Sequence, residues 1–309
     1  MAISSSLRTL SPLAYWHLPA VNGRYTENTL LKNLTWFRVG GPADVLFKPQ
    51  STEDLSTFLA TKPQELDVHI LGAGSNLLVR DGGVNGCVVK LGPAFGSICF
   101  EGTTLIAGAA ALDRTVVMEC LSHGLSGLEF LVGVPGTIGG AVAMNAGAYG
   151  FEVKDLLLWV ECLTPHGQLM RLTPEELNMS YRCGNIPTGW IIIRAAFKLE
   201  PAPREHIQTK VDEYLFMREA SQPIRGRTGG STFKNPLPYK AWELIDKAGC
   251  RGLQLGGAQI AQKHCNFMLN LGHATAAELE QLGETVRERV LTQTQTLLHW
   301  EIIRWGEKA

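Results

Sequence analysis

Between Gly133 and Gly150 the chain reads Gly-Val-Pro-Gly-Thr-Ile-Gly-Gly-Ala-Val-Ala-Met-Asn-Ala-Gly-Ala-Tyr-Gly, with six glycines, four alanines and one amide side chain, Asn145. No core can be built from such side chains. The run makes sense where backbone must approach something closely, because glycine lacks the Cβ that would stand in the way. Two uses fit. A flat or phosphate-bearing ligand can lie on bare amides, or backbone can pack on backbone. The partners of this run elsewhere in the chain decide between them.

The chain has 309 residues, with 45% hydrophobic and 18% charged side chains, enough for a sizeable core and for two domains. Its 33 glycines gather in a few runs, which argues for ligand-holding loops over a helical bundle. A formal net charge of -1 gives no reason to expect nucleic acid as a partner. The seven cysteines (Cys87, Cys99, Cys120, Cys162, Cys183, Cys250, Cys265) are scattered and contain no Cys-x-x-Cys pair, so neither a metal site nor a disulfide framework is readable. No apolar run is long enough to span a bilayer. The expectation is a soluble, monomeric, cytoplasmic protein. Met1 to Gly23 reads as a leader arm, with Pro12, His17 and Pro19 interrupting its apolar patch.

Local signals place the elements. Ser51 caps a helix with Leu55, Phe58 and Leu59 on one face. Val68–Leu71 and Cys87–Leu91 read as strands, and Ser97–Ala109 as a hairpin. Asp113–His123 is expected as a helix closed by Gly124. Leu156–Leu172 alternates as a second hairpin turning at Pro165-His166-Gly167, and Thr173 opens a capping box. Trp190–Leu199 is a strand, and Pro201-Ala202-Pro203 marks a domain boundary. Helices follow at Glu205–Glu219, at Tyr239–Ala248 and from Thr275, with strands at His264–Leu271 and Trp300–Trp305. This mixed order argues α+β rather than a doubly wound parallel sheet. The expected division is an arm over 1–27, a first domain over 28–200 and a smaller second domain over 204–309.

Leu71-Gly72-Ala73-Gly74-Ser75-Asn76-Leu77 follows a strand, so a Rossmann turn must be considered. It lacks the third glycine, and no helix opens after it. A glycine turn of this kind still forms an anion-binding nest of N–H groups. Three such elements occur in order: Arg38-Val39-Gly40-Gly41-Pro42-Ala43, the Gly72 turn and Gly133–Gly150. Further motifs follow at Tyr181-Arg182, Gly230-Ser231-Thr232-Phe233-Lys234-Asn235-Pro236 and Lys263-His264-Cys265-Asn266-Phe267. In this order and spacing, from about Asn28 to Gly306, the chain resembles the UDP-N-acetylenolpyruvoylglucosamine reductases, whose flavin domain is of the vanillyl-alcohol-oxidase (PCMH) type.

The resemblance implies FAD as cofactor, held by three groups of residues. These are Val39, Gly40 and Gly41; Leu71, Gly72, Ala73, Gly74, Ser75, Asn76 and Leu77; and Val134, Pro135, Gly136, Thr137, Gly139, Gly140, Asn145, Ala146 and Gly147. It implies reduction of FAD by NADPH, followed by reduction of UDP-N-acetylglucosamine enolpyruvate to UDP-N-acetylmuramate for the bacterial cell wall. Electrons then collect beside the substrate carboxylate, which demands a cation and a proton donor. By position in the family's motifs Ser231 is the proton donor, Arg182 stabilises the enolate and Glu301 is the third catalytic group. Tyr149, Lys234, Asn235 and Asn266 match substrate contacts, and no metal is expected. The chain departs from the family at Cys183-Gly184, where a serine usually stands two places after the arginine. Only Cys183 to Gly189 separates Arg182 from Trp190, which leaves no room for the tyrosine-bearing lid loop of one family type. Lacking a second dinucleotide fingerprint, the chain is expected to use one cleft in turn for NADPH and the sugar nucleotide. Two alternatives share the glycine elements: another FAD-linked oxidoreductase acting on an alcohol or hydroxy acid, and a flavin-binding module without catalysis.

Overall fold

The computed structural model describes residues 11–309. The first ten residues of the expected leader arm lie outside the described residues. The chain forms two compact units. One holds the residues up to 29 together with 43–72 and 85–214; the other holds 30–42, 73–84 and 215–309.

The first unit is built on two sheets. A four-stranded sheet has the order Arg24–Leu30, Pro42–Lys48, Val84–Val89, Val68–Ile70, and its last pair is parallel. The helix Thr52–Thr61 is capped by Ser51, whose hydroxyl accepts from the Asp54 amide at 3.2 Å, and it buries Leu55, Phe58 and Leu59. Tyr25, Phe47 and Phe58 stack in the same core. The rest of the expected arm belongs here, because Leu13, Trp16, Leu18 and Val21 pack on this core.

A five-stranded antiparallel sheet has the order Leu169–Leu172, Leu157–Leu163, Ile191–Lys198, Thr104–Gly108, Ile98–Glu101. The helix Asp113–His123 buries Val116, Val117 and Cys120, and Gly124 closes it at a φ of 66°. The short helix Ile138–Ala143 interrupts the glycine stretch. It is laced to the end of the central strands by Ile138 N–H to Ala111 O and Gly139 N–H to Ala109 O, both 2.9 Å.

The second unit packs the helices Ala241–Lys247 and Ala276–Thr294 against a three-stranded sheet, Gln254–Leu255, Ala258–Ile260, Met268–Asn270. Thr275 starts the long helix with the expected capping box to Glu278. The strand Leu77–Val79 pairs in parallel with Ile303–Trp305. Arg80 N–H donates to Trp305 O at 2.9 Å, and Gly41 N–H to Arg80 O at 3.0 Å. These bonds draw 30–42 and 73–84 into this unit. The linear division at Pro201–Pro203 therefore differs from the observed units, and the difference arises from pairing between residues more than two hundred apart. The helix read at Glu205–Glu219 forms as Arg204–Ser221 and runs from one unit into the other.

Candidate active site

Glycines of the three elements do different work, judged by what a Cβ would meet at each. At Gly40 it would strike the Val79 side chain, at Gly41 Asp81 O, at Gly74 Leu34 O, at Gly139 Ala109 and at Gly147 Phe151 O. These positions need glycine for backbone packing. Gly72 and Gly140 differ. Their only neighbour within 4 Å is the Thr137 hydroxyl, at 3.2 and 3.7 Å. That pair leaves bare backbone in the first unit, of the kind a flat ligand can lie on. Gly139 contributes bareness rather than a donor, because its amide already bonds Ala109 O.

The Gly72 turn supplies donors. The amides of Gly72, Ala73, Gly74 and Ser75 make no hydrogen bond to protein among the described residues. Gly72 O accepts from Lys90 Nζ at 2.8 Å and Gly74 O from Trp36 N–H at 3.0 Å. The carbonyls are thus held while the N–H groups stay available, which is the donor set a pyrophosphate requires. A dinucleotide cofactor fits both features. Val39, Leu71 and Leu77 are buried core residues. Val134, Pro135 and Gly136 are half-buried in the turn before Thr137.

Asn145, expected at the cofactor, has its side chain held within the protein. It is fully buried, and its amide is engaged internally. Nδ2 donates to Glu152 Oε2 at 3.0 Å and to Ser180 O at 2.9 Å, and Oδ1 accepts from Lys154 N–H at 2.9 Å. Its role is to fasten the end of the glycine stretch to the segment bearing Arg182. Arg182 sits at the tip of a tight turn in which Ser180 and Cys183 exchange both backbone bonds. Its Nη2 donates to Gly147 O at 3.0 Å. Gly184 explains the unusual Cys183-Gly184 pair in part. A Cβ there would strike Val142 O and Ala143 O, and its amide bonds Ala143 O at 2.9 Å. The short chain after Arg182 is seated directly on the helix Ile138–Ala143. We have no structural account of the choice of cysteine at 183.

Ala146 is buried, and Gly147–Ala148 pairs with Phe151–Glu152 in a hairpin that sequence reading missed. Tyr149 and Gly150 form its two-residue loop, with φ of 56° and 88°. Asn145 and Arg182 also have positive φ, 42° and 54°. Three non-glycine residues in this sparsely populated region stand together, and such strain gathers at functional sites. The Tyr149 ring stacks on Tyr214 at 4.2 Å and its hydroxyl donates to Tyr214 O at 2.9 Å.

In the second unit, Ser231 lies just after Gly230 (φ 78°), where a Cβ would meet nothing within 4 Å. Ser231 bridges Phe267, and Phe233 bridges Trp300. Glu301 is therefore set beside the serine's strand, with Glu301 N–H donating to Thr232 O at 2.9 Å. Asn76 Nδ2 donates to Glu301 O at 3.1 Å, so the Gly72 turn and the Glu301 segment are joined through Asn76.

The terminal strand covers only Ile303–Trp305, so Glu301 precedes it and is half-buried, beside the buried Ile302. Asn266, expected at the substrate, is buried, with Oδ1 accepting from Phe233 N–H at 3.0 Å and Nδ2 donating to Phe233 O at 2.9 Å, and so pins the serine's strand. Asn235 Oδ1 holds the Ala241 amide at 2.9 Å, at the start of a helix, and Lys234 is half-buried in the same loop. No group of His, Cys, Asp and Glu among the described residues could hold a metal. Burial pushes the imidazoles of His69 and His264 down, toward neutral structural roles.

A glycine-lined surface with available amides in its turn fits the dinucleotide cofactor of a flavin-dependent oxidoreductase. Comparison with known proteins gives the particular one. Residues 43–173 match the FAD binding domain family, and residues 222–305 match the C-terminal domain of UDP-N-acetylenolpyruvoylglucosamine reductase. The chain is 53% identical over 289 residues to the UDP-N-acetylenolpyruvoylglucosamine reductase of Gluconobacter oxydans, covering 94% of each chain. It is 50% identical over 306 residues to that of Rhodospirillum rubrum, covering 97% of this chain and 96% of the other. The crystal structure of the Thermus caldophilus reductase superposes with a TM-score of 0.81 at 37% identity, covering 93% of this chain and all of that one. The chain belongs to the UDP-N-acetylenolpyruvoylglucosamine reductase family, with its PCMH-type FAD-binding fold. Membership sets aside both alternatives raised from the glycine elements.

Proposed function

We propose that this chain reduces the enolpyruvyl C=C bond of UDP-N-acetylglucosamine enolpyruvate to give UDP-N-acetylmuramate, with NADPH as the reductant, in peptidoglycan precursor synthesis. Bound FAD supplies the two-electron relay between NADPH and the substrate's double bond. Gly72 and Gly140 with Thr137 would hold it, with the amides of Gly72–Ser75 on its pyrophosphate. The observation that carries the polar assignments is the pairing of Ser231-Thr232-Phe233 with Trp300-Glu301.

In this reading the Ser231 hydroxyl delivers its proton to the carbon next to the substrate carboxylate. A serine is a weak acid, but an enolate carbon is basic enough to take its proton. Among the described residues that hydroxyl has no protein partner, so it is available to substrate. Arg182 supplies a fixed positive charge and a planar fork suited to the carboxylate. Its bond to Gly147 O sets the direction of the fork. Glu301 supplies a second polar group to the developing enol, on a backbone fixed at both its N–H and its carbonyl. Tyr149, Lys234 and Asn235 are assigned to the nucleotide-sugar. The enzyme is taken to act as a monomer in the cytoplasm. Among the described residues no helix is long and apolar enough to cross a membrane.

The reading is tested by recording the flavin spectrum of the purified protein under anaerobic conditions. NADPH should bleach it, and UDP-N-acetylglucosamine enolpyruvate should restore the colour. A colourless protein that takes up no FAD, or a bleached one that the enolpyruvate leaves reduced, would overturn it.

A further inference from the structure

Trp300 stands next to Glu301, and its indole is fixed from four directions. Nε1–H donates to Glu284 Oε1 at 2.8 Å. The Arg304 guanidinium lies over the ring at 4.6 Å and pairs with Glu280 at 2.9 Å and Glu284 at 3.1 Å. The Phe233 ring packs at 5.1 Å and 56°. The fourth side is Gly283, where a Cβ would overlap the six-membered ring of the indole. Glycine inside a helix is unfavourable. Gly283 lies inside the helix Ala276–Thr294 and is not among the residues of positive φ, so dihedral freedom does not explain it. Space for the indole does.

The consequence lies in the neighbouring backbone. Phe233 pairs with Trp300, Lys234 N–H donates to His299 O at 2.8 Å, and Glu301 N–H donates to Thr232 O at 2.9 Å. A slip of one residue along extended backbone turns every side chain to the opposite face. An indole seated in a notch opposes such a slip. We propose that Gly283, Glu284 and the Trp300 indole form a register lock, and that these positioning residues aim Glu301 beside the strand of Ser231. The proposal rests on the assignment of Ser231 and Glu301 made above.

Trp300→Phe keeps an aromatic ring in the notch and removes the N–H donor. Glu284→Gln keeps an acceptor oxygen, and Glu284→Leu does not. Two rates are compared in each holoenzyme: bleaching of the flavin by NADPH, and reoxidation of the reduced enzyme by the enolpyruvyl substrate. With FAD content and melting temperature followed alongside, Trp300→Phe and Glu284→Leu should bleach at the wild-type rate. They should reoxidise about tenfold or more slowly, as displaced catalytic groups do. Glu284→Gln should reoxidise at close to the wild-type rate. The lock is overturned if Trp300→Phe and Glu284→Leu reoxidise normally, or if both half-reactions fall together with the melting temperature. Glu301→Gln run in parallel separates the two claims. Normal reoxidation in Glu301→Gln removes the assignment of Glu301 and the lock with it. Slow reoxidation there beside normal reoxidation in Trp300→Phe removes the lock alone.

Discussion

Asp113 shows what a single buried side chain can cost. It is fully buried at the start of a helix, and neither carboxyl oxygen has a partner among the described residues. Its amide bonds Gly136 O at 3.2 Å, and a Cβ on Gly136 would sit 2.6 Å from Oδ2. Burial raises its pKa well above the usual carboxylate value, so the folded protein holds it neutral. In the unfolded chain it ionises above about pH 3.9. The folded state therefore binds the extra proton, and stability falls by about 1.4 kcal/mol per pH unit from there until the folded-state value is reached. Asp113→Asn should flatten that slope. Its melting temperature relative to wild type should rise between pH 5 and pH 8, and a constant difference would show that Asp113 has another partner. At the same scale, Ser231, Arg182 and Glu301 were singled out because motif neighbours surround them, and their roles remain the proposal made above. Asn145 and Asn266 were assigned to ligands because an isolated amide in a motif looks free to bind. Asn145 is engaged by the Glu152 side chain and the backbone of Lys154 and Ser180, and Asn266 by the backbone of Phe233, partners that no local pattern reveals.

Most elements were legible where the signal is local. Ser51, Thr173 and Thr275 cap their helices, and Gly124 ends one in the left-handed conformation. The hairpin at Gly147–Glu152 and the strand Leu77–Val79 were missed, since two- and three-residue strands carry no periodicity. On the proposed role of Arg182, the chemistry depends most on the turn Ser180–Cys183. It rests on Gly184, whose Cα lies against the Ile138–Ala143 helix. Gly184→Ala should lift this turn and misdirect Arg182. Reoxidation by substrate should slow about 10- to 100-fold, while FAD content and bleaching by NADPH persist. Unchanged reoxidation would mean that Arg182 is aimed by something other than this seat.

For the molecule as a whole, α+β composition and the identity of the flavin fold were readable, whereas the division into units was not. Residues 73–84 join the C-terminal unit through parallel pairing and through one carboxylate, and 30–42 through Asn270 Nδ2, which donates to Phe37 O at 2.7 Å. Glu280 accepts from Arg80 Nε and Nη2, both at 2.9 Å, and from Arg304 Nη1 at 2.9 Å. The Arg80 hydrogen bond, opposed by burial, holds its pKa below the ordinary glutamate value. That contribution is fully present above about pH 4.3 and is lost as pH falls through the folded-state value. Glu280→Gln should thus destabilise by about 2 kcal/mol at pH 7. The gap to wild type should narrow progressively as pH falls below about 4.3, which denaturant melts across a series of pH values would check.

In the proposed mechanism Ser231 gives the proton to carbon and takes no part in flavin reduction. The most direct measurement is single-turnover reoxidation of Ser231→Ala after reduction by NADPH, under anaerobic conditions. The variant should bleach at the wild-type rate and then reoxidise at least about a hundredfold more slowly when the enolpyruvyl substrate is added. Equal loss of both half-reactions would make Ser231 a structural residue of its turn, and reoxidation at the wild-type rate would contradict the proton assignment outright.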